Sequence, residues 1–484
     1  MAGEKVYRWS FIDRASIAVI NLVTNLILAR LLTQGDFGLL AMVALFTVIA
    51  ADLSGCGLSD GLIHKPNPTE SDYSTVFIFN SAVGLTLGSA FFLSAPLWAN
   101  FFGYSEITSI MRIFGVSFFF QTMGYVQETR LRKQLKMKTV CLVRVGATLT
   151  VSVMAIIVAL LGGGYYALVC TQILLNFIIF IYYTIASRWF PRLQFSKQAF
   201  REFFSYGFHL MLAYLATIIE RNINPAVLGR YYNPAASGVY YQGGKLAQVP
   251  YGVSESSINA PFFVVASNEE NPDRQRRLVE EMTTTMLTIN FSIIALLFAA
   301  ATPIIGCMLG AKWMNCIPIF RILLFAECLF AIKQYFITLC KLRAKTRFVR
   351  NLGFAEVAFQ LALLAIFWRY GIELIAATQV AGVAFATIVY TIYSARTLKF
   401  FTLRGIAAII GRAAWIPLIA GLLTAAALYL FAPYAPTGTF ARTNISALAN
   451  CLVACTTFGA TTLLLGAATN SGLYLLLRQK LLRH

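Results

Sequence analysis

Charged and polar residues recur at helical spacing inside stretches that are otherwise apolar. Arg14, Asn21 and Asn25 are separated by 7 and then 4 residues, which places them within about 40° of one another on a helix. Two roles suit such a stripe. It lines a wet cavity that holds a polar solute, or it forms a hydrogen-bonded seam between helices. Tyr241, Lys245, Gln248, Gly252 and Glu255 make a second polar face at steps of 4, 3, 4 and 3 residues. Pro250 falls inside that segment and would bend its helix. Here the choice is between cavity lining and a buried Lys245–Glu255 or inter-helix ion pair. Asp52 precedes Ser54, Gly55, Gly57 and Ser59, a setting for gating or for coupling to a cation, with a structural ion pair as the alternative. Glu220 and Arg221 are adjacent, so they diverge by about 100° and cannot serve one face. Arg221 stands 200 residues after Asn21, which favours it as the cavity member.

These residues need elements that hold them in place, and the composition says what those elements are. Of 484 residues, 58% are hydrophobic and only 12% charged, against about 45–50% and 25% in soluble domains. The mean hydropathy is +0.70. An ordinary soluble enzyme, a disordered chain and a disulfide-rich secreted scaffold are excluded, and an all-α polytopic membrane protein remains. Fourteen apolar stretches are long enough to span a bilayer: 9–29, 37–59, 74–97, 109–127, 140–161, 163–186, 202–227, 238–263, 283–309, 315–339, 351–368, 373–395, 407–431 and 446–467. The first contains Asp13 and Arg14 and is expected to remain as a span, because no small-residue cleavage site follows it.

The loops test this count. With fourteen spans, one side holds 26 Lys and Arg residues in its loops and termini, among them the cluster Arg130, Arg132, Lys133, Lys136 and Lys138. The other side holds 5: Arg30, Arg230, Lys312, Arg369 and Arg442. Basic loops mark the cytoplasm, so both termini are expected there. The net charge of +19 is thereby accounted for by membrane orientation rather than by nucleic-acid binding.

The chain also repeats. Leu28, Arg30 and Gly38 recur as Leu228, Arg230 and Gly238, and Leu131-Arg132 recurs as Leu342-Arg343. Two six-helix lobes of like orientation follow, residues 1–200 and 201–400, related by a parallel pseudo-two-fold axis. Residues 401–484 add two C-terminal helices and a tail. A polar cavity between such lobes is the usual place for a transported solute.

Eight basic residues lie inside the expected spans: Arg14, Arg112, Arg144, Arg221, Lys245, Arg321, Lys333 and Arg412. Six acids join them: Asp13, Asp52, Glu220, Glu255, Glu327 and Glu356. A charge at mid-bilayer costs at least about 2.5–3.5 kcal/mol, so each needs a partner or water. The cationic excess suits an anionic solute, and the planar donor fork of Arg suits phosphate. Arg112 and Arg412 sit near span ends and are expected to reach the interface. Nine cysteines and three distant histidines show no metal-ligand spacing, and they read as reduced packing residues. No catalytic set, metal site or cofactor is expected.

Gly55-Cys56-Gly57-Leu58-Ser59-Asp60-Gly61-Leu62-Ile63, followed by Thr69-Glu70-Ser71-Asp72-Tyr73-Ser74-Thr75-Val76-Phe77, resembles the bacterial polysaccharide repeat-unit flippases of the multidrug/oligosaccharidyl-lipid/polysaccharide exporter superfamily. Glu220-Arg221-Asn222, Leu228-Gly229-Arg230, Gly238-Val239-Tyr240-Tyr241, Pro250 and the loop Asp273-Arg274-Gln275-Arg276-Arg277 agree. The resemblance implies two lobes forming a V. It implies alternating-access translocation of a polyprenyl-diphosphate-linked oligosaccharide across the bacterial inner membrane, for lipopolysaccharide, capsule or exopolysaccharide assembly. Arg14, Arg221 and Lys245 would receive the diphosphate. Asn21, Asn25, Tyr241 and Gln248 would complete the substrate surface, and Asp52 and Glu255 would couple ions or gate. A polysaccharide polymerase and assembly proteins would be partners. His64-Lys65 fits the basic position that follows the span-two motif in this family. Span two itself lacks the basic residue that lipid II flippases place there, which lowers that reading. A multidrug/cation antiporter is the other reading of the same superfamily. A glycan polymerase would need a large periplasmic loop, and the longest one expected, 432–445, carries only Arg442.

Overall fold

The computed structural model describes residues 2–55, 62, 65, 67–192, 194–254, 269, 271–343, 345–398, 402–431 and 440–469. Among them every regular element is a helix. A chain this apolar satisfies its backbone donors and acceptors within each segment, and helices do so without edges.

The packing defines two compact units, Met1–Tyr241 and Gln242–His484. The first holds α1 (Ala2–Leu31), α2 (Gln34–Gly55), α3 (Glu70–Phe102), α4 (Glu106–Lys133), α5 (Met137–Leu160), α6 (Tyr166–Ser187), α7 (Lys197–Tyr231) and the first half of α8 (Pro234–Ala247). The second holds the rest of α8, α9 (Val249–Ser254), α10 (Pro272–Ala299), α11 (Ala301–Met308), a 3₁₀ turn (Ala311–Cys316), α12 (Ile317–Leu342), α13 (Thr346–Phe367) and α14 (Ile372–Tyr393). A π turn (Ser394–Leu398), α15 (Leu403–Phe431) and α16 (Phe440–Thr469) complete it.

In the first unit the most extensive pairing is α3 with α4. Gly88 and Gly115 face each other there, and a Cβ on either would come within 2.6 Å of the other's carbonyl oxygen. Two helices approach this closely only where side chains vanish. The hairpin turns at Gly103, whose φ of 83° is left-handed. Thr69 opens α3 with a capping box: its hydroxyl accepts from the Asp72 N–H, and Asp72 accepts from the Thr69 N–H. Leu39, Met42 and Val43 of α2 pack with Ile107, Ile110 and Met111 of α4 and with Ala226 of α7. In the second unit α10 packs along α15, and α12 along α14. Val279, Phe291, Phe336, Leu339, Tyr390, Ile406 and Ile409 fill the space among those four helices.

Among the described residues, eleven of the expected spans coincide with helices long and apolar enough to cross a membrane, and residues 56–59 of the second expected span lie outside the described residues. The other three, 109–127, 202–227 and 238–263, lie on α4, α7 and α8–α9. α7 carries Glu220, Arg221, Asn222 and Asn224, and α8 has only 14 residues. The expected span 238–263 is interrupted at Gln248, two residues before Pro250; its remainder beyond Ser254, Glu255 included, lies outside the described residues. The expected span 283–309 is also two helices, with a break at Ala300. Pro303 accounts for it, because its ring would strike the Ala299 carbonyl in a continuous helix.

The repeat seen in the sequence reappears in the element ends. α1 ends at Leu31 and α7 at Tyr231; α2 begins at Gln34 and α8 at Pro234. Thr33 caps α2 through Asp36, and Asn233 caps α8 by accepting from the Ala236 N–H at 2.8 Å. The same events fall 200 residues apart.

Candidate functional site

The α1 stripe is partly open. Arg14 and Asn21 are exposed, while Asn25, one turn further, is buried. Leu28, Ala29 and Leu32 beyond it are also buried, so α1 passes from an open surface into packed structure along its length. Asp52 lies half-buried on the last full turn of α2, and its Oδ2 has no hydrogen-bond partner among the described residues. Arg221 is half-buried on α7 beside the buried Glu220. The α7–α8 hairpin that carries Arg221 and Tyr241 is fixed by two buried hydrogen bonds. Asn224 donates to the Tyr240 hydroxyl, and the Ser237 hydroxyl donates to the Pro225 carbonyl, each at 2.8 Å. α7 runs through Pro225 to Tyr231, although Pro225 itself has no N–H to give to the helical ladder.

In the second unit Lys245 is exposed and Gln248 half-buried. Gln248 stands at the break between α8 and α9. Its N–H still reaches the Gly244 carbonyl, and its own carbonyl accepts from Gly252, both at 3.1 Å. The helix is thus bent rather than cut, and the polar face turns with it.

Other intramembrane cations have partners that the sequence did not assign. Arg144 donates to the buried Asp13 at 2.8 Å. Lys333 and Glu356 form a pair at 2.7 Å in which both side chains are at most 5% exposed. Arg412 meets Glu280 at 3.2 Å, and Arg112 lies over the Phe92 ring. These contacts take Arg144 and Lys333 out of the pool of cavity cations. Spacing alone could not reveal the first, since its partners are 131 residues apart.

A polar knot ties one end of the first unit. Glu70 accepts from Arg130 at 2.7 Å and from the Trp189 indole at 2.6 Å, and the Arg130 guanidinium lies over the Tyr73 and Trp189 rings. Lys65 pairs with Asp72 at 2.9 Å. The segment after α6 docks here, with the Arg192 N–H on Ser74 and the Ser196 N–H on Thr75. The starts of α3 and α7 therefore share one end with the finish of α4, as expected from alternating loops. Among the described residues no cluster of His, Cys, Asp and Glu could hold a metal ion.

Comparison with known proteins defines the class. The family description "Polysaccharide biosynthesis protein" matches residues 27–318, more than half of the chain. The teichuronic acid biosynthesis protein TuaB of Bacillus subtilis is 25% identical over 400 residues, covering 81% of this chain and 80% of its own. The succinoglycan biosynthesis transport protein ExoT of Rhizobium meliloti is 24% identical, covering 65% of this chain and 64% of its own. The lipopolysaccharide biosynthesis protein WzxC of Escherichia coli is 20% identical, covering 65% of each. Among solved structures, the lipid II flippase MurJ in an inward closed conformation superposes with a TM-score of 0.74 at 14% identity, over 96% of this chain and 99% of its own. An inward-facing multidrug resistance transporter of the MATE family gives 0.63 at 15% identity, over 81% and 95%. The chain belongs to the polysaccharide biosynthesis protein family, and it is a multi-pass membrane protein with the fold of the MurJ and MATE transporters.

Proposed function

We propose that the protein flips polyprenyl-diphosphate-linked oligosaccharide repeat units across the bacterial inner membrane by alternating access, with both termini cytoplasmic. It acts as a transporter and not as an enzyme. The product feeds lipopolysaccharide, capsule or exopolysaccharide assembly, with a polymerase and assembly proteins as downstream partners. Family membership over residues 27–318 carries this reading, and relatives bearing transport and polysaccharide-biosynthesis names support it.

The charge distribution supports an anionic solute. Arg144, Lys333 and Arg412 are engaged by acids of their own unit, and Arg14 and Lys245 add exposed cations on α1 and α8. Arg14, Arg221 and Lys245 bind the diphosphate, with Asn21, Asn25, Tyr241 and Gln248 on the sugars. Asp52 and Glu255 couple or gate. The working lobes are residues 1–200 and 201–400, with 401–484 appended.

Deletion of the gene in its host tests the reading. The expected result is lost surface glycan, with lipid-linked repeat units accumulating on the cytoplasmic leaflet. Lys245→Ala should fail to restore the glycan while the protein accumulates normally. Intact glycan with altered drug tolerance would move the protein to the antiporter branch.

A further inference from the structure

Two cysteines of the second unit stand apart from the reduced, packing role read from the sequence. Cys307 is the next-to-last residue of α11, and Cys451 lies on α16. Their thiols are within hydrogen-bonding reach of each other, across 144 residues of chain. The two helices meet there through small residues. A Cβ on Gly306 would lie 3.9 Å from the Cβ of Ala447, one turn before Cys451. The Cβ atoms of a disulfide are about 3.5–4.5 Å apart, so the backbones already approach as closely as such a bond requires. Cys451 shares its face of α16 with Ala454 and Phe458, both buried.

α16 has little else to hold it. In its apolar stretch within Ala447–Gly466 only 11% of the residues are buried, and Leu448, Leu452 and Leu464 are exposed. Alanine and cysteine on the packed face give few dispersion contacts and little interlocking. The contact also has a side. Cys307 comes just before the Lys312 loop and Cys451 just after the 432–445 loop, both on the side poor in Lys and Arg. With both termini cytoplasmic, that side is extracytoplasmic, where thiols are not kept reduced.

We propose that Cys307 and Cys451 are joined by a disulfide once the chain is inserted, stapling α16 to α11. The proposal rests on the orientation given with the flippase reading, and not on the solute. The oxidant is a protein disulfide of the extracytoplasmic face. The Cys307 thiolate, beside the end of its helix, attacks one donor sulfur and forms a mixed disulfide. The Cys451 thiolate then attacks the Cys307 sulfur and displaces the donor. Two S–H bonds are lost and one S–S bond is made here, while the donor's S–S bond is reduced to two thiols that take up both protons and both electrons. The bond closes a long loop in the unfolded chain, the arrangement in which a cross-link restricts that chain most.

The test counts thiols. Cells are quenched with N-ethylmaleimide, and the protein is purified, denatured in the same reagent and weighed intact by mass spectrometry. Of nine cysteines, wild type should carry seven adducts, and reduction followed by iodoacetamide should add two carbamidomethyl groups. Cys307→Ala and Cys451→Ala should each carry eight adducts and gain nothing on reduction. Nine adducts in wild type would overturn the staple, as would a disulfide that persists in either variant. Lys312→Cys in protein lacking the native cysteines then says which premise failed. Its labelling by a membrane-impermeant maleimide in intact cells, beside nine adducts in wild type, refutes the disulfide and keeps the orientation. Its protection beside nine adducts refutes the orientation and the staple with it. Seven adducts in a protein whose deletion leaves surface glycan unchanged would refute the flippase reading alone.

Discussion

Replacing Glu356 with leucine should destabilise the second unit far more than replacing Glu356 and Lys333 together. The two charges are 2.7 Å apart and at most 5% exposed, so at an effective dielectric of about 20 their attraction is worth about 6 kcal/mol. Desolvating two ions costs several kcal/mol each, which leaves the pair near zero net. Removing one partner keeps the cost and loses the attraction, and the penalty for breaking such a pair is about 3–5 kcal/mol. Lys333→Met with Glu356→Leu removes both charges and fills the space, so it should fall within about 2 kcal/mol of wild type in either direction. The assay is the unfolding free energy in mixed micelles as the fraction of denaturing detergent rises, followed by far-ultraviolet circular dichroism. Single substitutions that cost less than about 1 kcal/mol would refute the argument, because an exposed pair costs that little. So would a double substitution as damaging as either single one.

Three further outcomes follow from the same geometry. Arg144→Leu orphans the buried Asp13 carboxylate, but Arg144 is 32% exposed, so water discounts the loss to about 1–3 kcal/mol; Asp13→Asn in the same protein should restore part of it in the same unfolding assay. Gly88→Val drives a Cβ to 2.5 Å from the Gly115 carbonyl oxygen and should cost about 1–3 kcal/mol through the α3–α4 hairpin, read as a lower unfolding midpoint. Asp52→Asn should leave folding unchanged and abolish any dependence of transport on a sodium or proton gradient; an unaltered gradient dependence would remove Asp52 from the coupling role.

The elements were legible because helix-length apolar runs are what a bilayer demands. The repeat was legible at Leu28-Arg30-Gly38 and Leu228-Arg230-Gly238, and the helix ends at Leu31 and Tyr231 carry the same offset. The break at Ala300 was missed because Pro303 reads as one more small residue in an apolar run, whereas the Pro250 bend was anticipated from a proline in the middle of a polar face. The ion pairs were harder. Lys333 and Glu356 are 23 residues apart on α12 and α13, and Arg144 reaches Asp13 across 131. Which cation meets which acid depends on helix rotation and neighbours, which hydropathy does not encode. Glu255, in the polar face of the eighth expected span, lies outside the described residues, and that face is traced only through Gln248 and Gly252.

The central claim is tested most directly by the purified protein in liposomes carrying a fluorescent polyprenyl-diphosphate oligosaccharide in both leaflets, with an impermeant reductant outside. The account predicts protein-dependent bleaching of the inner-leaflet pool, slowed by Arg221→Ala and by Lys245→Ala. Bleaching that stops at the outer leaflet, as in protein-free liposomes, would contradict it.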